Sequence, residues 1–304
     1  MNKLLILTEK IDEYRPLVES ANLPDLILLD EPSPECEIVL GSPVQIRRAL
    51  SALTNVKWVQ STWAGVEPLL DPSLRKDYVL TNARGVFGQL MSEYVFAYLL
   101  AHERKILHLL NLQKDKDWDN SNLGSLRGKT IGLLGVGSIG AEVARTAKFF
   151  QMKVLGYTRD SETSEHVDEY FHGDDLLKMT KQVDYLVNIL PNTNNTKKII
   201  NAEVLSVLQP HVLFINVGRG TAVDESALAE ALSQNKIAGA VLDVFEKEPL
   251  PNEHPFWTTP NLTITFHTSA PSLPEDIAKL FIENYHLYHA GKPLKYQVNF
   301  EKGY

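Results

Sequence analysis

Short apolar runs recur along the chain, and their spacing changes near the middle. Leu4–Leu7, Leu26–Leu29, Ile38–Leu40, Trp58–Gln60 and Tyr78–Thr81 read as strands separated by turn-rich pieces such as Asp30-Glu31-Pro32-Ser33-Pro34, with helical segments such as Val44–Leu53 between them. This predicts a small α/β domain of roughly 100 residues. Leu90–Leu112 follows as one long helical pattern without Gly or Pro. Its apolar residues cover more than one face, as expected of a helix buried between domains or in an oligomer interface. A polar stretch, Lys114–Ser121, closes it. From Lys129 the pattern is regular. Strands at Ile131–Leu134, Val154–Tyr157, Tyr185–Leu190, Leu213–Val217, Ala240–Val244 and Leu262–Phe266 alternate with helices at Ala141–Phe150, Ala202–Leu208 and Glu225–Gln234, and Tyr170-Phe171 adds one short strand. Continuously apolar strands alternating with helices predict a parallel, doubly wound sheet. Ser272-Leu273-Pro274-Glu275 reads as a capping box with Pro in the first turn. Its helix runs to about Ala290, stops at Gly291 and Pro293, and is expected to pack back on the first domain.

Composition narrows the class. The 304 residues are enough for two domains, and with 44% hydrophobic and 22% charged residues the chain reads as soluble and globular. A net charge of −8 argues against nucleic acid or a membrane surface as partner. The single cysteine, Cys36, allows no internal disulfide and points to a reducing, cytoplasmic setting. The first residues read as a strand rather than a signal peptide. No apolar run approaches the ~20 residues of a membrane span. No metal site is expected.

The most informative stretch is Lys129–Val143, where the apolar run Ile131–Leu134 meets Gly135, Gly137 and Gly140 and a helical Ala-Glu-Val-Ala follows. A G-x-G-x-x-G between strand and helix is the fingerprint of a dinucleotide-binding, Rossmann-type domain. The helix N-terminus presents N–H groups and partial positive charge to the phosphates. At the end of the second strand, where an acidic residue usually binds the ribose hydroxyls, stand Thr158 and Arg159. A hydroxyl does not repel a 2′-phosphate, and a guanidinium binds one. NADP(H) is therefore expected over NAD(H), the alternative being that Asp160 serves the ribose.

Three later strand ends carry polar residues to the nicotinamide edge: Arg219 after Val217-Gly218, Glu248 after Leu242-Asp243-Val244-Phe245, and His267 after Phe266. Arg219 can bind a carboxylate bidentately and polarise an adjacent carbonyl. His267, held protonated by Glu248, can give a proton to an alkoxide forming as hydride arrives. In the first domain the loop Ser61–Val66 reads, from spacing alone, as an ordinary strand-to-helix turn.

These stretches together resemble the D-isomer-specific 2-hydroxyacid dehydrogenases, and more narrowly the glyoxylate/hydroxypyruvate reductase type. The resemblance spans about Trp58 to Pro293. It rests on Leu126–Gly132 leading into the phosphate loop, Ile189-Leu190-Pro191-Asn192-Thr193, Asn216–Gly220, Leu242–Phe245 with Glu248-Pro249, and His254-Pro255-Phe256-Trp257 before His267. It implies a flavodoxin-like substrate domain of residues 1–97 and 273–304 and a dinucleotide-binding domain of residues 98–272. It implies Arg219, Glu248 and His267 as the catalytic set, with His267 the proton donor. Ser138 and Ile139 would meet the pyrophosphate, Asp243 the nicotinamide amide and Val217 the nicotinamide. Gly135, Gly137, Gly140, Thr158, Arg159, Leu190, Pro191 and Gly218 complete the expected cofactor set. Backbone amides near Ala64 and Gly65 would bind the substrate carboxylate, with Arg219. The site would lie between the domains, closing on its ligand, and the long helix from Leu90 would contribute to a homodimer. Phe266 stands where the family usually has Pro, and Thr268-Ser269-Ala270 lacks a common glycine. Trp63, Phe87 and Trp257 are candidates to line the substrate end. A C-terminal regulatory domain like that of many phosphoglycerate dehydrogenases is not expected. The expectation is an NADPH-dependent reductase of small 2-ketoacids. The alternatives are an NAD-dependent enzyme of the phosphoglycerate type and a non-catalytic dinucleotide sensor or corepressor.

Overall fold

The computed structural model describes residues 1–120 and 122–303; Ser121, at the end of the expected polar stretch, and Tyr304 lie outside the described residues. The chain divides into two compact units, Met1–Phe87 with the stretch from Pro271 onward, and Gly88–Ala270.

The first unit begins with β1 (Asn2–Leu7), α1 (Ile11–Ser20), β2 (Leu26–Leu29), β3 (Ile38–Gly41), α2 (Pro43–Ala49), β4 (Trp58–Ser61) and β5 (Val79–Thr81). The strands form one sheet in the order β2-β1-β3-β4-β5, every pairing parallel. This is the flavodoxin-like order. β3 and β4 are buried along their whole length, as strands covered on both faces must be.

The second unit contains α3 (Gly88–Glu103), α4 (Ile106–Asp115), β6 (Thr130–Leu134), α5 (Ser138–Phe149), β7 (Lys153–Tyr157), β8 (Glu169–Phe171), α6 (Leu176–Thr180), β9 (Tyr185–Asn188), α7 (Ala202–Val207), β10 (Leu213–Asn216), α8 (Glu225–Ser233), β11 (Gly239–Leu242) and β12 (Leu262–Ile264). Its parallel sheet has the order β12-β11-β10-β9-β6-β7-β8. The order reverses beside β6, so a crevice opens beyond the C-terminal ends of β6 and β9, where open α/β sheets bind ligands. Alternate side chains feed two cores. Leu134, Leu155, Leu186, Phe214 and Leu242 enter one layer; Leu133, Val154, Val187, Ile215 and Val241 enter the other.

α3 belongs whole to the second unit, with Ser92 hydrogen-bonded to Thr146 of α5 (2.7 Å). The first boundary thus falls at Phe87/Gly88, where residues 97/98 were expected. The expected single helix Leu90–Leu112 is two helices. Lys105 takes a left-handed conformation (φ 49°), and the Glu103 carbonyl accepts the Gly124 N–H at 2.9 Å instead of continuing the helical ladder. No Gly or Pro marks that break, and the donor that takes the Glu103 carbonyl, the Gly124 N–H, comes from beyond α4. In the first unit α9 (Pro274–His289) forms, but the expected capping box does not. Its N-cap is Leu273, without a side-chain cap, and Ser272 Oγ donates to the Thr62 carbonyl (2.9 Å). α9 is fixed on the first sheet by Phe281, stacked on Trp58 at 5.2 Å, and by Asn284 donating to Gln60 (3.0 Å).

Leu186, fully buried in the middle of the second sheet, makes the core testable. Leu186→Ala should lower unfolding stability by about 2–5 kcal/mol. Urea unfolding measures this; a loss under about 1 kcal/mol would mean the two-layer core does not depend on this strand.

Candidate active site

The sequence predicts strands running to Leu190, Val217, Val244 and Phe266, but β9 to β12 stop earlier, at Asn188, Asn216, Leu242 and Ile264. Two asparagines cause part of this. Asn188 Oδ1 accepts the Leu190 N–H (3.3 Å) and Asn216 Oδ1 accepts the Gly218 N–H (3.2 Å), so side chains take over from the ladder. Asn188 Nδ2 also donates to Asn216 Oδ1 at 2.9 Å, tying the two strand ends together. Leu190, Pro191, Val217 and Gly218 therefore stand in loops on one edge of the sheet.

At the neighbouring β6 end, Gly135 has φ +97°, a conformation only glycine adopts without strain. A Cβ on Gly140 would lie 2.2 Å from the Gly135 carbonyl oxygen, so this contact between turn and helix requires glycine. Gly137 precedes α5 without a side-chain cap, leaving the first-turn N–H groups from Ser138 and Ile139 for another acceptor. That donor set, at the positive end of a helix, fits a pyrophosphate. Thr158, just past β7, is buried, and its hydroxyl donates to the Ser161 carbonyl at 2.7 Å. Arg159 and Asp160 are exposed beside it. His172 Nδ1 lies 3.2 Å from the Thr158 hydroxyl, a neighbour the sequence pattern did not single out.

Glu248 and His267 meet directly, with His267 Nδ1 2.8 Å from Glu248 Oε2. A carboxylate only accepts, so Nδ1 carries the shared proton and Nε2 is left to exchange one. Glu248 Oε1 accepts the Phe245 N–H at 2.9 Å. Arg219 Nη1 donates to the Gly218 carbonyl (2.8 Å). A Cβ on Gly220 would lie 1.8 Å from the Phe245 carbonyl carbon, so glycine is what lets the Arg219 loop press against the loop carrying Glu248. That second loop is braced by Glu225, which accepts the Glu246 N–H (2.9 Å) and pairs with His254 Nε2 (3.2 Å). Glu225 was legible only as a helix residue. Phe266 is 70% exposed and its ring stacks with Trp257 at 6.4 Å, which is what the residue replacing the usual proline does here.

The charges act on one another. The Glu248 hydrogen bond pushes His267 above the ordinary histidine range; burial and Arg219 oppose this, and Asp243 adds to it. Burial pushes Glu248 up, but the bonds from His267 and Phe245 and the charge of Arg219 outweigh it, and its pKa falls below the usual range. The histidine's contribution to stability is complete below about pH 6.5 and is lost as pH rises through its raised value. The glutamate's is complete above about pH 4.3 and is lost on acidification.

His267 is also strained, with φ 56°, a conformation costing about 1–3 kcal/mol in a residue with a side chain. Asp243, fully buried, holds it there. The Asp243 carbonyl accepts the His267 N–H (2.8 Å), and its carboxylate accepts from Thr265 Oγ1 (2.5 Å), Thr268 N–H (2.8 Å) and Ser269 N–H (3.0 Å).

In the first unit, Ala64 and Gly65 lie half-buried in the loop after β4. The Ala64 carbonyl accepts from Asn82 Nδ2 (2.8 Å) and the Trp63 N–H donates to Ser61 Oγ (3.0 Å), which fixes the loop. Trp63 is exposed and Phe87 buried. Among the described residues no group of His, Cys, Asp and Glu could hold a metal, and no helix is long and apolar enough to cross a membrane.

Residues 96–269 match the family model described as D-isomer specific 2-hydroxyacid dehydrogenase, NAD binding domain. The chain belongs to the D-isomer specific 2-hydroxyacid dehydrogenases. Within these dehydrogenases it is of the glyoxylate/hydroxypyruvate reductase type. A glyoxylate/hydroxypyruvate reductase A from Serratia proteamaculans is 33% identical over 230 residues, 73% of each chain. The crystal structure of a family member from Aeromonas salmonicida is 40% identical with a TM-score of 0.94, covering 98% of this chain and 99% of that one. An NADPH-dependent glyoxylate/hydroxypyruvate reductase from Sinorhizobium meliloti, solved with NADP and sulfate, is 27% identical with a TM-score of 0.86 over the whole of both chains. The dehydrogenase fold and a nicotinamide dinucleotide cofactor follow for this chain.

Because Glu248 is the largest influence on His267, Glu248→Gln should lower the titration midpoint of the His267 imidazole. Proton NMR of the ligand-free protein reads this directly, and an unmoved midpoint would show that the pair is not coupled in solution.

Proposed function

We propose that this chain reduces small 2-ketoacids of the glyoxylate and hydroxypyruvate kind to D-2-hydroxyacids, preferring NADPH. The observation that carries this reading is the 2.8 Å His267–Glu248 pair on the same sheet edge as the glycine loop after β6. A binder without chemistry has no use for an imidazole held protonated by a carboxylate, which disfavours the sensor alternative. The bound reduced nicotinamide supplies the hydride. Arg219 takes the substrate carboxylate and polarises the adjacent carbonyl. His267 Nε2 delivers the proton to the oxygen as negative charge develops on it, and Glu248 stabilises the imidazolium beforehand. Backbone amides at Ala64 and Gly65 share the carboxylate.

Amides at Ser138 and Ile139 hold the pyrophosphate, with Gly135, Gly137 and Gly140 allowing its approach. Val217 would lie against the nicotinamide, and Leu190, Pro191 and Gly218 would belong to the cofactor site. The nicotinamide amide would meet the chain at Asp243, whose buried carboxylate already accepts three hydrogen bonds. The absence of a carboxylate at Thr158, the exposed Arg159 and the NADP held by the Sinorhizobium relative support NADPH over NADH. A cytoplasmic homodimer completes the proposal. Supporting the dimer, α4 exposes Leu107 and Leu110 at 70% and 50%.

NADPH oxidation against a panel of 2-ketoacids tests the activity, with turnover of glyoxylate or hydroxypyruvate expected and a lower KM for NADPH than for NADH. His267→Ala should lower kcat by about 10²–10⁴-fold with NADPH binding retained. Near-normal kcat in that variant would remove His267 from the mechanism, and equal or better use of NADH would overturn the cofactor preference.

A further inference from the structure

Asp243 holds the histidine loop, but a fully buried carboxylate holds a loop only as well as its own donors are held. One of those donors leads to a residue outside the strand-end loops. Thr265 Oγ1 lies 2.5 Å from Asp243 Oδ1 and 2.8 Å from the phenol oxygen of Tyr94. A threonine hydroxyl has one proton, and an ionised carboxylate can only accept. The Thr265 proton is therefore committed to Asp243, and Tyr94 must be the donor to Thr265. Burial pushes the Tyr94 phenol far above its ordinary range, so the phenol keeps its proton at any working pH. Tyr94 is itself fixed on α3, its ring tilted against Tyr98 at 4.8 Å.

We propose that Tyr94 and Thr265 are positioning residues for the reaction: a one-way hydrogen-bond relay, Tyr94 to Thr265 to Asp243, holds the strained His267 loop in register with Glu248. This rests on His267 being the proton donor. The relay brackets His267 on both sides. Thr265 stands two residues before it, and Thr268 and Ser269, whose N–H groups share the same carboxylate, stand immediately after. A left-handed histidine relaxes unless its surroundings over-determine it. When it relaxes, the Glu248 contact is the first to lengthen. Chained hydrogen bonds strengthen one another, so loss of the distant phenol weakens the Asp243 contact as well. The charged groups acting on His267 are Glu248, Arg219 and Asp243. Neither Tyr94 nor Thr265 adds a charge, so any effect of theirs on the imidazole is transmitted through position.

The test uses the whole chain carrying Tyr94→Phe, Thr265→Val or Thr265→Ser. The readouts are the NMR titration of His267 in the ligand-free protein and the steady-state kinetics of NADPH-dependent ketoacid reduction. Tyr94→Phe and Thr265→Val should each lower the His267 midpoint toward the ordinary value near 6.5. Each should reduce kcat about five- to tenfold, the size of one lost buried hydrogen bond, with the ketoacid KM held. Thr265→Ser keeps the hydroxyl and should restore both. Tyr94→Phe keeps the ring packing, so it carries the test if Thr265→Val does not fold. A fall in kcat with the His267 midpoint unmoved, or no change in either, would overturn the relay. Failure of the proton-donor reading is separable, because it appears as near-normal kcat in His267→Ala and leaves the titration measurement intact.

Discussion

All seven strands of the larger sheet run the same way, so every C-terminal strand end opens on one edge. The rest of the molecule's chemistry depends on that constraint. Parallel pairing places Asn188, Asn216, Leu242 and Ile264 in lateral register. The loops that leave them carry Arg219, Glu248 and His267 to one neighbourhood from positions spread over almost fifty residues. β6 runs parallel to them, so the glycine loop that leaves it lies on that edge as well, and the reversal of strand order there opens a crevice. The glycine loop and the His267–Glu248 pair are thus on one edge because of topology, before any side chain is considered.

The same constraint has a cost. Strand ends in a two-sided sheet are buried, and polar groups placed there must find partners or lose free energy. The structure meets this with mutual satisfaction. Asn188 and Asn216 bond to each other and to the backbone that leaves their strands. Asp243 gathers a hydroxyl and two amides from a single loop. These bonds also fix loop conformations that would otherwise be free, including the left-handed His267. Satisfaction of buried polar groups and preorganisation of the site are one arrangement seen from two sides.

That distinction explains what was legible in the sequence. The strands, the doubly wound class and the Gly135–Gly140 loop are local patterns, and the structure forms them close to where the apolar runs stand. Arg219, Glu248 and His267 were recoverable because each follows a recognisable strand. The break at Lys105 was not, since the group that takes the Glu103 carbonyl is Gly124. The capping box at Ser272 fits the local rule, yet the serine bonds to Thr62, far away in sequence. Thr265 and Tyr94 lie 171 positions apart, with nothing in either neighbourhood to mark the contact. Periodicity and spacing report on near neighbours along the chain. The residues that support the site act across it.

In the proposed reaction an imidazolium at position 267, sustained by Glu248, supplies the proton of the reduction. The pH dependence of kcat/KM for NADPH-dependent ketoacid reduction tests this most directly. The profile should show a plateau at low pH and a tenfold fall per pH unit above a break lying higher than the ordinary histidine value of about 6.5. In Glu248→Gln that break should move down. A profile flat from neutral into alkaline pH, or a break that stays in place when Glu248 loses its charge, would contradict it.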